Sequence, residues 1–100
     1  MIVTTLLVMA SWYSVADNGG TQTASGKPYN EHEATCAHKT AKFGTVFLVT
    51  NKTNGKTTTC TVTDRGPYIP GRVIDLSRVG ATELDMVHTG VAPVELAVVD

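Results

Sequence analysis

The sequence predicts a small, mainly β domain: a barrel of short strands with one helix. Three observations carry this. Threonine and valine supply 16 and 13 of the 100 residues against 6 leucines, and β-branched side chains suit a pleated, half-buried surface better than a helix. The apolar runs are short, several alternate with period two, and Gly, Pro and Asn punctuate them. Only one stretch, after Ser77, reads as a convincing helix. Many short strands around so small a core are best accommodated by a closed barrel, which leaves no long edges.

In order, a first strand is expected over about residues 2–15. Residues 1–10 have the outline of a secretory apolar region, with Val8 and Ala10 where a cleavage site wants small residues. No Lys or Arg precedes that run, so the strand is the preferred reading, with Met1 as a fragment start and any natural signal or lipid anchor outside the sequence. Asp17-Asn18-Gly19-Gly20 ends the strand, and Ser25-Gly26-Lys27-Pro28 marks a second turn. Residues 31–39 read as one helical turn or as loop. Residues 45–50 read as a strand, and Asn54-Gly55 offers the positive φ of a tight turn into a second strand over 56–63. There Thr57, Thr59, Thr61 and Thr63 share one face, and Thr58, Cys60 and Val62 the other. Asp64 to Gly71 is a loop fixed by two prolines and two glycines. Residues 72–76 form a short strand, Ser77 caps a helix to about Val87, and residues 91–99 close the domain, with Pro93 indicating an edge or bulge. No linker or repeat divides the chain: it is one domain, residues 1–100.

Composition excludes several function classes. The formal net charge is −1, so nothing neutralises a row of phosphates and no nucleic-acid partner is expected. No apolar run reaches about 18 residues, so no membrane span is expected. A hydrophobic share of 42% excludes disorder. The two cysteines, Cys36 and Cys60, admit three readings: a disulfide, two free thiols, or a metal site of Cys36 with His38. The disulfide is favoured, and with it an extracytoplasmic setting. It would stabilise by about 3 kcal/mol on the chain-entropy model. No metal or cofactor is expected.

Few side chains can do acid–base chemistry. Asp64 ends a Thr-rich strand and opens a rigid loop, so its direction is set by the scaffold; it is a candidate general acid or base, or the acceptor of its own loop's N–H groups. Asp75 is a charge in an apolar strand and, if turned inward, needs a partner, for which Arg65 and Arg72 are nearest in sequence. His38 is a hydrogen-bonding candidate. Trp12 and Tyr13 are adjacent and on a strand point to opposite faces, one toward the core and one as a stacking surface for a sugar. The Asn51-Lys52-Thr53 sequon carries little weight.

Taken in order, Ala10-Ser11-Trp12-Tyr13, Thr23-Ala24-Ser25-Gly26, Thr35-Cys36-Ala37-His38-Lys39-Thr40, Val62-Thr63-Asp64-Arg65-Gly66-Pro67 and Gly71-Arg72-Val73-Ile74-Asp75-Leu76-Ser77 resemble the rare lipoprotein A family over about residues 8–99. The resemblance implies a six-stranded double-psi β-barrel, shared with expansins, barwin-like proteins and family 45 glycosidases. It implies a peptidoglycan lytic transglycosylase that cuts glycan strands lacking stem peptides between N-acetylmuramic acid and N-acetylglucosamine and leaves a 1,6-anhydro end. A monomer acting outside the cytoplasm is expected. By matching position, Asp64 is the catalytic aspartate and His38 the active-site histidine, and Asp75 falls where expansins keep an aspartate. Asp75, Tyr13, Lys27 and Arg65 are the candidate glycan contacts. One position departs. Catalytic members carry glutamate in Thr-Ala-x-Gly-Glu, and here that place is Lys27, which is cationic and has no acceptor while protonated. Glu31 and Glu33 are the nearest carboxylates that could replace it. The alternatives are an expansin-like glycan binder, which tolerates Lys27, and a secreted protease-inhibitor module on the same barrel.

Overall fold

In the computed structural model, residues 5–14 and 23–99 are described. The turn expected at residues 17–20 and both ends of the strand expected over 2–15 lie outside them. Six strands, β1 (Thr5–Trp12), β2 (Thr35–His38), β3 (Val46–Asn51), β4 (Thr57–Asp64), β5 (Arg72–Leu76) and β6 (Val91–Val99), and one helix, α1 (Arg78–Glu83), follow in chain order. The strands close into a barrel in the order β1-β5-β2-β4-β3-β6. The six-stranded barrel with one short helix is the fold that the resemblance implies.

The β3–β4 hairpin forms as expected, antiparallel, with Phe47 opposite Cys60 and Gly55 at φ +78°. Its inward residues Val49, Cys60 and Val62 join Ile74, Leu76, Val94, Leu84 and Met86 in one core. Cys36 and Cys60 form a disulfide, with Cα atoms 5.7 Å apart and a sequence separation of 24. Both are buried, so the free-thiol and metal readings lose their thiolates.

Four expectations need correction. Residues 35–38 are a strand, not a helical turn or loop. β2 is only four residues long and sits between β4 and β5, so small side chains are buried on both its faces and no alternation marks it. Helix α1 stops at Glu83 rather than Val87. Asp85 turns left-handed at φ +54°, a conformation Asp tolerates better than most residues. The carbonyl of Leu84 is taken instead by the side-chain amides of Asn51 and Asn54, at 2.9 and 3.0 Å. Ser77 precedes the helix but its side chain does not cap it; Ser77 Oγ donates to the Glu33 carbonyl at 2.6 Å. Finally, Pro93 lies inside the barrel wall, opposite Met9. Its carbonyl accepts from the Lys52 N–H at 2.9 Å, just past the end of β3. Its nitrogen points the same way, so proline forgoes only the return bond to Lys52 at the very end of the β3–β6 ladder.

Asn51 is 2% exposed, and its bonded, buried amide is not a glycosylation site in the folded chain.

Candidate active site

A row of four residues crosses the barrel wall. Ser11 of β1 is opposite Asp75 of β5, Asp75 is opposite Ala37 of β2, and Ala37 is opposite Asp64 of β4. Asp64 and Asp75 are thus two strand spacings apart, roughly 10 Å at the backbone, with a methyl group between them. Ala37 makes the hollow. Over this row lies a groove of about 330 Å³, lined by Ser11, Ala37, Asp64 and Asp75 together with Trp12, Tyr13, the loop from Arg65 to Ile69, and Arg72.

Two register shifts build this row. Between Cys36 and Ala37, β2 advances one residue while β4 advances two, from Val62 to Asp64. Thr63 is the extra residue of a β-bulge. Under strict alternation Asp64 would share the core face with Cys60 and Val62; the bulge turns it outward. The second shift is its counterpart on the other parallel pair. From Met9 to Ala10, β5 advances from Arg72 to Ile74, and Val73 is the extra residue. Arg72 and Asp75, three apart, therefore share the groove face.

Asp64 is held by two loops. Its Oδ1 accepts the backbone N–H of Arg65 at 2.9 Å and of Ala24 at 3.0 Å. Among the described residues Oδ2 takes no hydrogen bond. Both local readings of this aspartate hold together: it caps its own loop with one oxygen and keeps the other for chemistry. Gly66 follows at φ +118°, where a side chain would be strained, and the Gly66-Pro67 peptide is cis. Ser11 Oγ donates to Asp75 Oδ1. Asp75 thus faces the groove, so the inward-turned charge that would have called for Arg65 or Arg72 as its partner does not arise.

Tyr13 lies past the end of β1, which is why it and Trp12 both reach the groove instead of dividing between faces. Its ring is 7% exposed, stacks on Tyr29 with centroids 4.7 Å apart, and packs in a cluster with Ala37. Its hydroxyl is buried without a hydrogen-bond partner among the described residues. Burial first, then the charges of Asp64, Tyr29 and Asp75, push that hydroxyl far above the usual tyrosine range. It is a fixed proton donor looking for an acceptor.

Arg65 lines the groove but is committed. Its guanidinium donates to the carbonyls of Ala41 at 2.7 Å and His38 at 3.2 Å, and covers the Phe43 ring at 3.9 Å.

The structure does not bring His38 or Lys27 to the groove. Alternation along β2 turns Cys36 and His38 to the face opposite Ala37. The His38 ring packs against Phe47 with centroids 5.4 Å apart, and Nδ1 accepts the N–H groups of Thr40 and Ala41 at 3.2 and 3.0 Å. Burial, and next the Arg65 charge, hold its pKa below the usual histidine value. The imidazole is neutral and braces the turn whose carbonyls hold Arg65. Lys27 Nζ pairs with Glu33 Oε2 at 3.1 Å, both exposed, and neither Glu31 nor Glu33 lines the groove. Sequence reasoning did not single out Ser11, Ala37 or Tyr68 for the groove; only the position of Ser11 and Ala37 inside otherwise recognisable motifs signals them.

A family model described as lytic transglycolase matches residues 5–96. The endolytic peptidoglycan transglycosylase RlpA of Campylobacter jejuni is 43% identical over 91 residues, 91% of this chain and 33% of that protein. The chain spans about a third of the length of the curated relatives it matches, from 24% to 39% in three of them. Among solved structures, the Streptomyces papain inhibitor superposes with TM-score 0.77 at 20% identity, covering 97% of this chain and 96% of that one. A mutant Clavibacter michiganensis expansin in complex with cellohexaose gives TM-score 0.75 at 20% identity, over 97% of this chain and 51% of that one. These two likenesses concern the fold alone. The family match covers almost every strand and all four residues of the row, so the resemblance read from the motifs holds: the chain belongs to the lytic transglycolase family of double-psi β-barrel domains.

Proposed function

We propose that this domain is an endolytic peptidoglycan transglycosylase, acting outside the cytoplasm as a monomer, with Asp64 as its single general acid and base. The observation that carries this is the half-buried Asp64 carboxylate, fixed through one oxygen by two backbone N–H groups beside an open groove. A group that must give a proton and then take one back needs a fixed direction and one free oxygen.

The reaction follows from that geometry. Protonated Asp64 gives its proton to the glycosidic oxygen, and the bond from that oxygen to C1 of the muramic residue breaks. Positive charge develops at C1, and the two carboxylates of the row supply negative field. The C6 hydroxyl of the same muramic residue attacks C1, its proton goes to the Asp64 carboxylate, and a 1,6-anhydro ring is left. No water is consumed. Tyr13 donates to a substrate oxygen, Asp75 accepts from a sugar hydroxyl, and Arg65 fixes the mouth of the loop. His38 acts as a positioning residue through the turn that holds Arg65. The disulfide fits an oxidising compartment. Among the described residues no helix is long and apolar enough to cross a membrane.

Lys27 supports a second reading, an expansin-like module that binds wall glycan without cutting it. One experiment separates the two: purified protein is incubated with peptidoglycan stripped of stem peptides, and soluble products are weighed by mass spectrometry. Anhydro-muramyl products are expected from wild type, with a loss of about 10²–10⁴-fold in Asp64→Asn. Sedimentation with the glycan but no product, even from Lys27→Glu, would establish the binder. Neither product nor sedimentation, with inhibition of a papain-like protease, would favour the inhibitor reading.

A further inference from the structure

Five of the six aromatic side chains are covered. Tyr13, Tyr29 and Phe47 are buried, Trp12 is half-buried against the core, and the Phe43 ring lies under the Arg65 guanidinium. Tyr68 is the exception. It is 74% exposed, more than any other large apolar side chain among the described residues, and among them it has no hydrogen bond, ring contact or cation partner. Its loop is nonetheless tied at both ends. Arg65 anchors the start on two carbonyls, Gly66 and Pro67 are buried, and the Ile69 carbonyl accepts the Arg72 N–H at 3.2 Å. The Cε2–Cδ2 edge of the Tyr68 ring rests beside Gly66, where a β-carbon would sit 3.6 and 3.7 Å from those two atoms. One edge is held while most of the ring stays open.

Tyr68 and its neighbour Ile69 line the same groove as Asp64 and Asp75. At about 330 Å³ that groove is near the low end of the range of about 300–1,000 Å³ found for ligand sites. It takes few sugar units, so the rest of a polymer lies on the open surface leading out of it. A β-1,4-linked hexopyranose with equatorial substituents presents a flat array of C–H groups on each ring face. Such an array packs on an aromatic face, which carries partial negative charge. A tyrosine already held on a tied loop gives this contact at little entropic cost.

We propose that Tyr68 is a stacking platform for a sugar ring beyond those held over the row from Ser11 to Asp64, so that affinity steps up once a strand is long enough to reach it. The inference rests on the glycan reading above and adds to it a subsite and a length preference. Tyr68 takes no part in the proton transfers; it holds the strand on which Asp64 acts.

The test is an NMR titration, in which amide shifts report both affinity and place. An Asp64→Asn background prevents turnover. Two probes are used: the GlcNAc–MurNAc disaccharide and the corresponding hexasaccharide. Both are expected to shift the amides of Ala37 and Asp75. The hexasaccharide should also shift Tyr68 and Ile69 and bind about three- to tenfold more tightly, the factor that one aromatic stacking contact supplies. Adding Tyr68→Ala should remove that gain and leave the disaccharide affinity within about twofold, which also shows that the groove is intact. Tyr68→Phe should keep the gain, since it keeps the ring. Unchanged hexasaccharide affinity in Tyr68→Ala overturns the proposal while the glycan reading stands. So does an equal loss for both probes, which would put Tyr68 over the row itself. A loss in Tyr68→Phe as large as in Tyr68→Ala assigns the effect to the hydroxyl and overturns stacking. Binding of neither probe by the background protein overturns the glycan reading and this inference with it.

Discussion

The disulfide joins β2 to β4, the two strands that carry Ala37 and Asp64, and its removal gives a quantitative test of how the floor is held. The perturbation is the double variant Cys36→Ala/Cys60→Ala, compared with wild type in the presence and absence of reductant. With a sequence separation of 24 between the cysteines, the chain-entropy model gives about 3.5 kcal/mol at 25 °C. Both residues are buried, at 0% and 1% exposure, so replacing two sulfurs by hydrogens also removes core packing and adds to the loss. For a domain of this size about 3.5 kcal/mol corresponds to a fall in Tm on the order of 14–28 °C. Equilibrium unfolding in urea with and without dithiothreitol gives the same quantity as a shift in midpoint. Reduction alone should produce most of the shift, because the thiols still fill the space. A loss under about 1 kcal/mol would refute the reasoning. It would mean that the unfolded chain is already constrained between the two cysteines, for which the β3–β4 hairpin inside that loop is the natural source. The functional corollary is that the reduced protein binds glycan less well at temperatures where it is still folded, since β2 is short and its floor residue depends on a fixed distance to β4.

Two further outcomes follow from the site. Tyr13→Phe removes a buried hydroxyl that has no partner among the described residues, so the free protein should gain stability, by about 1 kcal/mol, while glycan affinity falls; a destabilised variant with unchanged affinity would show that the hydroxyl serves the fold instead. His38 gives a pH dependence. Its folded pKa lies below the usual value because of burial and Arg65, so at mildly acid pH the unfolded chain binds more protons than the native one. Its contribution to stability is therefore complete above the unfolded value of about 6.5 and is lost as pH falls through the folded pKa. Urea midpoints should decline as pH drops below about 6.5, and His38→Gln should flatten that decline. A slope that survives the substitution places the titration elsewhere.

How much of this was legible in the sequence depends on what each segment has to bury. β3 and β4 alternate because one face meets the core and the other meets water, and the turn at Asn54-Gly55 fixes their register; both read correctly. β2 has no such contrast. Flanked by β4 and β5, with Thr35, Cys36 and Ala37 all buried, it needs small residues on both sides, and that pattern resembles a loop. The end of α1 was hidden for a different reason. Leu84, Met86 and Val87 continue an apolar stripe, but the chain leaves the helix because two asparagines 30 and 33 positions away take the carbonyl of Leu84. Motif order led to Asp64 and Asp75, and the groove contains both. The same matching placed His38 and Lys27 beside them, whereas strand polarity turns the first away and Glu33 engages the second.

The face that Asp64 presents was the least readable feature, and it is the one on which the proposed chemistry depends. Period-two counting from Thr57 assigns residue 64 to the core, and only an inserted residue reverses that. The insertion occurs twice, at Thr63 in the β2–β4 pair and at Val73 in the β1–β5 pair, each on a parallel pair, where bulges are rare. Each brings a charged residue, Asp64 or Arg72, onto the groove face. The fold carries a cost for this. Among the described residues, the buried side-chain polar atoms without partners are Tyr13 Oη, Thr35 Oγ1 and Thr63 Oγ1. One is the bulged residue itself and another is the tyrosine over the floor. An unsatisfied buried hydroxyl costs about 1–3 kcal/mol, a large share of the 5–15 kcal/mol that holds a domain together. Local rules are broken at Thr63 and Val73, where the wall turns Asp64 and Arg72 outward, and kept along the rest of the hairpin. That distribution is expected of a barrel whose wall has been bent to hold a site.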